Sequence, residues 1–320
     1  LRFLKILIVS FCKNFYLDIF TEQDRNKRKS VFLIFIFIAF ITLLGAIFGT
    51  ALGLPREEWI GSIIFALIFS SFSAFFSYFF SDKIVLAISG AKKIDKNLNK
   101  ELYRILENLC IASGLPIPKF YIIDDTAPNA FATGRDANHG VICITTGLIQ
   151  KLERSELEAV ISHELGHIGN RDILFMTLVS VLVGTVSLLS DLFLRFTYFN
   201  RGGKKRDNEN GQIQIILILA GFILAILSPI VATLIQFAIS RKREFLADAV
   251  GAQICQNPEA LARALEKISK DTEPLEVANS ATAHLYFSNP LKNGKISKLF
   301  STHPPVEERI AKLHGMVGKI

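Results

Sequence analysis

Two long runs without a single charge dominate the first quarter of the chain. Val31–Leu54, VFLIFIFIAFITLLGAIFGTALGL, and Trp59–Phe80, WIGSIIFALIFSSFSAFFSYFF, are separated only by Pro55–Glu58. At about 1.5 Å rise per residue, each is long enough as a helix to cross a hydrocarbon core of ~30 Å. They predict a transmembrane hairpin within 31–82, with Trp59 and Tyr78 as interfacial anchors. Ahead of it, Leu4, Ile8, Phe11, Phe15 and Ile19 recur at helical spacing and predict an amphipathic juxtamembrane helix within 1–30. Leu1–Phe15 has no small-residue cleavage site and no long apolar centre, which argues against a removed signal peptide. Two further apolar runs follow, Ile173–Phe199 with Asp191 and Arg195 inside it, and Ile213–Ser240 with Pro229 and Gln236 inside it. The polar loop RGGKKRDNENGQ joins them. They predict a second helical hairpin over 173–240, read as transmembrane, which brings the expected membrane helices to about four.

The remaining stretches have the shorter periods of a water-soluble fold. NKELYRILENLCIASGL puts Leu102, Ile105, Leu106 and Leu109 on one helical face and stops at Gly114. Lys119–Asp124, Asn129–Thr133 and Gly140–Thr145 are short strand candidates between turn residues. Ser155 followed by Glu158 has capping-box spacing and predicts the start of a helix whose buried side is Leu157, Ile161, Leu165 and Ile168. Asn257-Pro258 opens another helix with Leu261, Leu265 and Ile268 inward, and Pro304-Pro305 opens a last one that stops at Gly315. The expectation is one soluble α+β domain in two parts, 83–172 and 241–320, with the second hairpin inserted between them.

Composition agrees with a membrane protein. Half of the 320 residues are hydrophobic, 27 of them are Phe, and the apolar residues are clustered. The net charge of +7 could suit nucleic acid, but its placement favours a bilayer instead. Arg25, Lys27, Arg28 and Lys29 precede the first span, and Lys83, Lys92, Lys93, Lys96 and Lys100 follow the second. By the positive-inside rule both flanks are cytoplasmic. The loop RGGKKRD runs against that rule if the second hairpin also spans. Cys12, Cys110, Cys143 and Cys255 form no CxxC pair, so a zinc ribbon is excluded and buried free thiols are expected.

The candidate chemistry lies in ISHELGHIGN, Ile161–Asn170. His163 and His167 are four apart, which puts both imidazoles on one helical face, close enough to share an ion. Zinc suits neutral imidazoles at ~2.0–2.1 Å. Glu164 sits beside the metal without ligating it, where a base must stand to take a proton from activated water. Gly166 leaves room nearby. Two solvated histidines on an exposed helix would give the same letters, but the cap and the buried side of this helix weigh against that. A third ligand is needed, and ISRKREFLAD offers Glu244, with Asp248 one turn on to hold a ligand imidazole by its other nitrogen. An ordinary charged juxtamembrane face beside Arg241, Lys242 and Arg243 fits the same spacing.

HELGH, an apolar segment pair and then SRKREFLAD resemble the HtpX-type membrane metallopeptidases, relatives of the CAAX prenyl proteases. NAFATG (Asn129–Gly134) and STHPPVEERI (Ser301–Ile310) are similar to two further motifs of that family, in the same order. The resemblance runs from about Phe15 to the C-terminus; Leu1–Asn14 extends beyond it. It implies an α-helical membrane protein with a zincin-like (gluzincin) peptidase domain, a small β-sheet with an edge strand, and an active-site helix. It implies one zinc per chain on His163, His167 and Glu244, Glu164 as base, and an edge strand at Asn129 and Ala130 that pairs with extended peptide. It implies cleavage of membrane or misfolded proteins in quality control and stress response, from a multi-pass position in the cell inner membrane with the active site facing the cytoplasm.

The chemistry then needs a group for the oxyanion besides the metal. His303, Tyr286 and Arg309 are the candidates, His303 being equally readable as a loop or helix-capping histidine. His139, His284 and His314 have no partner legible in the sequence and are expected to be solvated. Two other classes remain: a membrane scaffold or assembly factor whose zinc fold no longer cuts, and a transporter, which would need polar residues inside the first two spans. Expected partners are protein substrates and the bilayer, with no nucleic acid; oligomeric state is not legible.

Overall fold

The computed structural model describes residues 2–51, 54–199, 241–278, 282–290 and 303–318. Helix α1 (Arg2–Ala51) runs unbroken through the predicted juxtamembrane segment and the first apolar run. The two predicted elements are therefore one helix, because nothing between Phe20 and Val31 breaks it: the polar stretch TEQDRNKRKS contains neither Gly nor Pro. Helix α2 (Arg56–Ile88) follows, with Glu57 and Glu58 in its first turn, where carboxylates favour the positive end of the helix. Both helices are long and apolar enough to cross a bilayer. Helix α6 (Ile173–Phe199) holds the third apolar run. The loop 201–212 and the fourth run, 213–240, lie outside the described residues.

The chain divides into two compact units. The second takes Phe32–Ser81 and, among the described residues of the later chain, Leu178–Phe199. Phe37, Ile41, Ala66, Ala74, Leu182 and Val186 pack inside it, while Phe32, Phe35, Phe65 and Phe72 stay more than half exposed, as side chains facing acyl chains would. Small residues bring α1 and α2 together: Ser62 Oγ donates to Gly45 O at 3.1 Å, and Trp59 Nε1 donates to Ala46 O at 3.0 Å. Trp59, predicted as an interfacial anchor, thus also clamps the hairpin.

The first unit, Leu1–Val31, Asp82–Thr177 and Ser240–Ile320, carries the chemistry. Its sheet has β1 (Lys92–Lys93), β2 (Lys119–Ile123), β3 (Ala130–Thr133) and β4 (Val141–Thr145) in the order β1-β2-β4-β3. β2 and β4 are parallel; β1 on β2 and β3 on β4 are antiparallel, with Ala130 opposite Ile144 and Thr133 opposite Val141. β1 escaped the sequence reading because two lysines have no alternation to detect. β4 is buried along its whole length, which is why VICIT reads as a continuous apolar run.

Around the sheet lie α3 (Lys100–Ser113), α4 (Thr146–Lys151), α5 (Arg154–Gly169), α7 (Arg241–Cys255), α8 (Pro258–Lys270) and α9 (Val306–His314). The stops and caps are those legible in the sequence for α3, where Gly114 takes φ +68°, and for α8, where Asn257 accepts from Ala260 N–H. The start of α5 differs. Its N-cap is Glu153 rather than Ser155, because Glu156 reaches back to the Glu153 N–H at 2.9 Å and is itself held by Lys267 at 2.8 Å. Phe120, Ile142, Ile144, Leu148, Ile161, Leu165, Ile168, Leu261 and Leu265 form the core between these layers, each worth about 1.5–3 kcal/mol of burial.

Candidate metal centre and active site

Helix α5 carries His163, Glu164 and His167, and all three are buried. Helix α7 crosses it with Gly251 against His163: a Cβ at Gly251 would lie 2.8 Å from the His163 backbone. Gly166 faces Ala247 of α7 in the same way, with 3.2 Å between a Cβ there and the Ala247 carbonyl. This backbone approach lets a short Glu244 side chain reach the imidazoles. His163 Nε2 and His167 Nε2 are 3.1 Å apart, Glu244 Oε1 is 3.7 Å from His167 Nε2, and Glu244 Oε2 is 3.9 Å from His163 Nε2. Atoms sharing one tetrahedral zinc at ~2.0–2.1 Å stand roughly 3.3 Å apart, so this trio fits a small cation with little movement. His163, His167 and Glu244 are the three-residue group able to hold a metal among the described residues.

The unpaired atoms fit a cation as well. Both carboxylate oxygens of Glu164 and both of Glu244 are buried without a hydrogen-bond partner among the described residues. Leaving two carboxylates so placed costs several kcal/mol; a cation beside one and a water beside the other would satisfy them.

Each histidine is backed by an acid, and each acid by an arginine. His163 Nδ1 lies 2.9 Å from Asp248 Oδ1, and Arg309 donates to both Asp248 oxygens at 2.7 and 2.8 Å. His167 Nδ1 lies 3.1 Å from Asp172 Oδ2, with Arg243 Nε 3.7 Å from that oxygen. Asp172 was missed in the sequence, because directly before α6 it reads as an ordinary acid at a helix N-terminus. The turn that places it puts Arg171 at φ +56°, a conformation non-glycine residues rarely take. Gln23 Nε2 of α1 donates to Gly169 O at 2.7 Å, satisfying a carbonyl at this same helix end.

Charges in the site follow from burial and neighbours. Burial pushes the Glu164 carboxyl up to about 8. Burial brings His163 down to about 4 against the pull of Asp248. At His167 burial acts downward too, but Asp172 and Glu244 outweigh it and carry the imidazole to about 10. A proton and a cation compete for the same Nε2 lone pair there. Burial would raise Glu244, but His303, His167 and Arg309 hold it at about 2. Burial is likewise overcome at Asp248, which the Arg309 pair holds well below the usual carboxylate range.

The remaining candidates divide. His303 Nε2 comes to 3.6 Å from Glu244 Oε2. Arg309 Nη1 is 3.8 Å from the same oxygen, but its guanidinium is bound to Asp248 and to the Phe287 carbonyl. The Tyr286 hydroxyl meets Ser89 Oγ at 3.4 Å and its ring packs edge-on against Phe131, so its contacts lie at the sheet edge. Asn129 and Ala130 also differ from the expectation of an open edge. Ala130 O accepts from Phe287 N–H at 2.7 Å, and the Asn129 amide pairs with the Ser288 backbone. Of the three histidines expected in solvent, His139 and His314 are exposed, each beside an acid, and His284 is not. His284 is buried and donates from Nε2 to Met176 O at 3.0 Å, His314 meets Glu259 at 2.9 Å, and His139 meets Asp136 at 2.7 Å. Cys110 and Cys143 are buried free thiols.

Comparison with known proteins places this geometry. Residues 96–317 match peptidase family M48. The chain is 45% identical over 295 residues to a protein named "Protease HtpX homolog" from Caldanaerobacter subterraneus subsp. tengcongensis, covering 92% of this chain and 96% of that one. It is 43% identical over 292 residues to a protein of the same name from Tropheryma whipplei (strain Twist), covering 91% and 96%. Among solved structures, S. mikatae Ste24p superposes with a TM-score of 0.46 at 20% identity, covering 92% of this chain and 66% of that one. The chain belongs to peptidase family M48 and, within it, to the HtpX-type membrane metallopeptidases.

Proposed function

We propose that the chain is a zinc-dependent endopeptidase of the cell inner membrane that cleaves membrane or misfolded proteins, with its active site on the cytoplasmic side. The observation that carries the chemistry is the convergence of His163 Nε2, His167 Nε2 and Glu244 on one point, beside a Glu164 carboxylate with no hydrogen-bond partner among the described residues. Those three residues would hold the ion, and Asp248 and Asp172 would fix the two rings through their Nδ1 atoms. Bound zinc supplies Lewis-acid chemistry, polarising the scissile carbonyl and acidifying water to a pKa of about 7. Glu164, whose carboxylate oxygens have no hydrogen-bond partner among the described residues, takes the proton of the attacking water and delivers it to the leaving amine. His303 is the candidate nearest the ligand atoms to meet the developing oxyanion; Arg309 holds Asp248 instead.

The sidedness rests on which residues share a unit. The basic flanks of both apolar helices, Arg25–Lys29 and Lys83–Lys100, belong to the same compact unit as the ligands. The positive-inside rule therefore puts the site with those flanks in the cytoplasm. A substrate emerging from the bilayer, or failing to fold in it, would meet the site there.

The test compares zinc-loaded full-length protein with Glu164→Ala on a fluorescently labelled unfolded protein. Loss of a general base lowers the rate by about 10²–10⁴-fold, with zinc content unchanged. Undiminished cleavage by Glu164→Ala at full zinc occupancy would sink the assignment. Metal analysis of Glu244→Ala checks the third ligand: zinc equal to wild type would remove it.

A further inference from the structure

β3 is one of the two edge strands of the sheet and lies over the helix that carries the histidines. Asn129 is bonded towards β4: its carbonyl accepts from Thr145 N–H at 3.0 Å, and its N–H donates to Thr145 Oγ1 at 2.9 Å. Alternate residues turn their peptide groups to opposite sides, so Ala130 and Ala132 present theirs outward. Such an edge is a template for any extended chain, because the pairing uses only backbone groups.

In this structure the template is filled by the chain itself. Phe131 faces Tyr286 in an antiparallel bridge, and Phe287 N–H donates to Ala130 O at 2.7 Å. The Asn129 side chain imitates the next peptide unit of the strand: Nδ2 donates to Ser288 O at 2.9 Å, and Oδ1 accepts from Ser288 N–H at 3.2 Å. The Phe287 ring stands edge-on to the His163 ring with centroids 4.9 Å apart, and the Phe287 carbonyl accepts from Arg309 Nη1 at 3.2 Å. Tyr286–Ser288 therefore lies antiparallel along the edge and against a metal-ligand imidazole. Its polar hold on β3 is a single bridge and one amide pair, groups that the backbone of any peptide can replace; the Tyr286 ring on Phe131 and the buried Tyr286 and Phe287 side chains add apolar contacts that an incoming chain must match with its own side chains.

We propose that Tyr286–Ser288 is a resident substitute for substrate, and that a peptide reaches the Asn129–Phe131 edge by displacing it. The proposal rests on the peptidase reading. It makes the resting enzyme self-occluded, so apparent substrate affinity is the intrinsic affinity scaled down by the open fraction. That would protect neighbouring membrane proteins from a permanently open cleft, while an unfolded chain long enough to pair along the edge could compete.

The test is hydrogen exchange on full-length, zinc-loaded Glu164→Ala in detergent, with and without a saturating reduced and carboxymethylated unfolded protein. Exchange across Ala283–Asn289 should rise at least about tenfold when the polypeptide binds, while β2 stays unchanged. Binding seen by fluorescence anisotropy without faster exchange in that segment would overturn the proposal and leave the peptidase reading standing. Neither binding nor cleavage by the wild-type zinc enzyme would remove both. Ser288→Pro gives a second arm, since it deletes the N–H given to Asn129 Oδ1. KM should fall roughly three- to tenfold with kcat within about twofold. A folded variant with unchanged KM counts against displacement; should it not fold, the exchange result on Glu164→Ala decides.

Discussion

At the scale of single residues, the site is governed by what stands behind each proposed ligand. Asp172 meets His167 Nδ1 and is otherwise approached by Arg243, so it sets the ring's tautomer and direction. Asp172→Ala should weaken zinc binding by about 10–100-fold, read by competition against a chromophoric chelator, with Asp172→Asn recovering part of it. A purely structural role would lower Tm without a selective loss of zinc. Asp248 is more deeply committed, because Arg309 occupies both its oxygens. Arg309, a plausible oxyanion group by type, is placed by the fold as the support of that acid. The letters HELGH made His163, Glu164 and His167 legible. Asp172 was not, because its role depends on a tight turn that no periodicity encodes.

At the scale of elements, the decisive contact is α5 on α7. Glu244 follows His167 only after two long apolar segments, and it reaches the imidazoles because the helices touch backbone to backbone at Gly251. Gly251→Ala puts a methyl group 2.8 Å from the His163 backbone. The expected outcome is about 1–3 kcal/mol of destabilisation from overpacking, together with loss of zinc as Glu244 is pushed away. Thermal melting and metal content measured on the same preparation check it. At the end of α7, Gln256 sits at φ +54°. Gln256→Gly relieves that left-handed strain and should raise stability by roughly 0.5–1 kcal/mol, read as an increase in Tm. The helix faces and their stops at Gly114 and Gly315 were readable beforehand. The start of α5 was not, since Glu153 became its cap through Glu156 and a lysine more than a hundred residues away.

For the molecule as a whole, stability depends on pH through groups that no motif contains. His284 is buried, donates to Met176 O, and is held at about 4 by burial against an ordinary 6.5. Its folded pKa lies below its unfolded one, so the unfolded chain binds the proton more readily between those values. The contribution is fully present above about pH 6.5 and declines as pH falls towards 4, at up to about 1.4 kcal/mol per unit. His284→Gln keeps a donor and lacks that titration. Its Tm should therefore fall less steeply than wild type between pH 6.5 and 4.5, and parallel curves would show that His284 does not titrate there.

The sequence by itself determined the apolar helices, the helix bearing His163 and His167, the three main strands and the class of chemistry. Each of these is written in neighbouring residues: uncharged runs, a four-residue histidine spacing, short alternating segments between turns. Tertiary structure alone decided that Asp172 backs His167, that His284 is buried, and that Tyr286–Ser288 lies on the edge expected for substrate. Those outcomes depend on backbones distant in sequence meeting within a few ångströms, and on burial that turns an exposed acid or imidazole into a costly, partnered one. Local spacing can place a side chain on a face; only packing decides what that face meets.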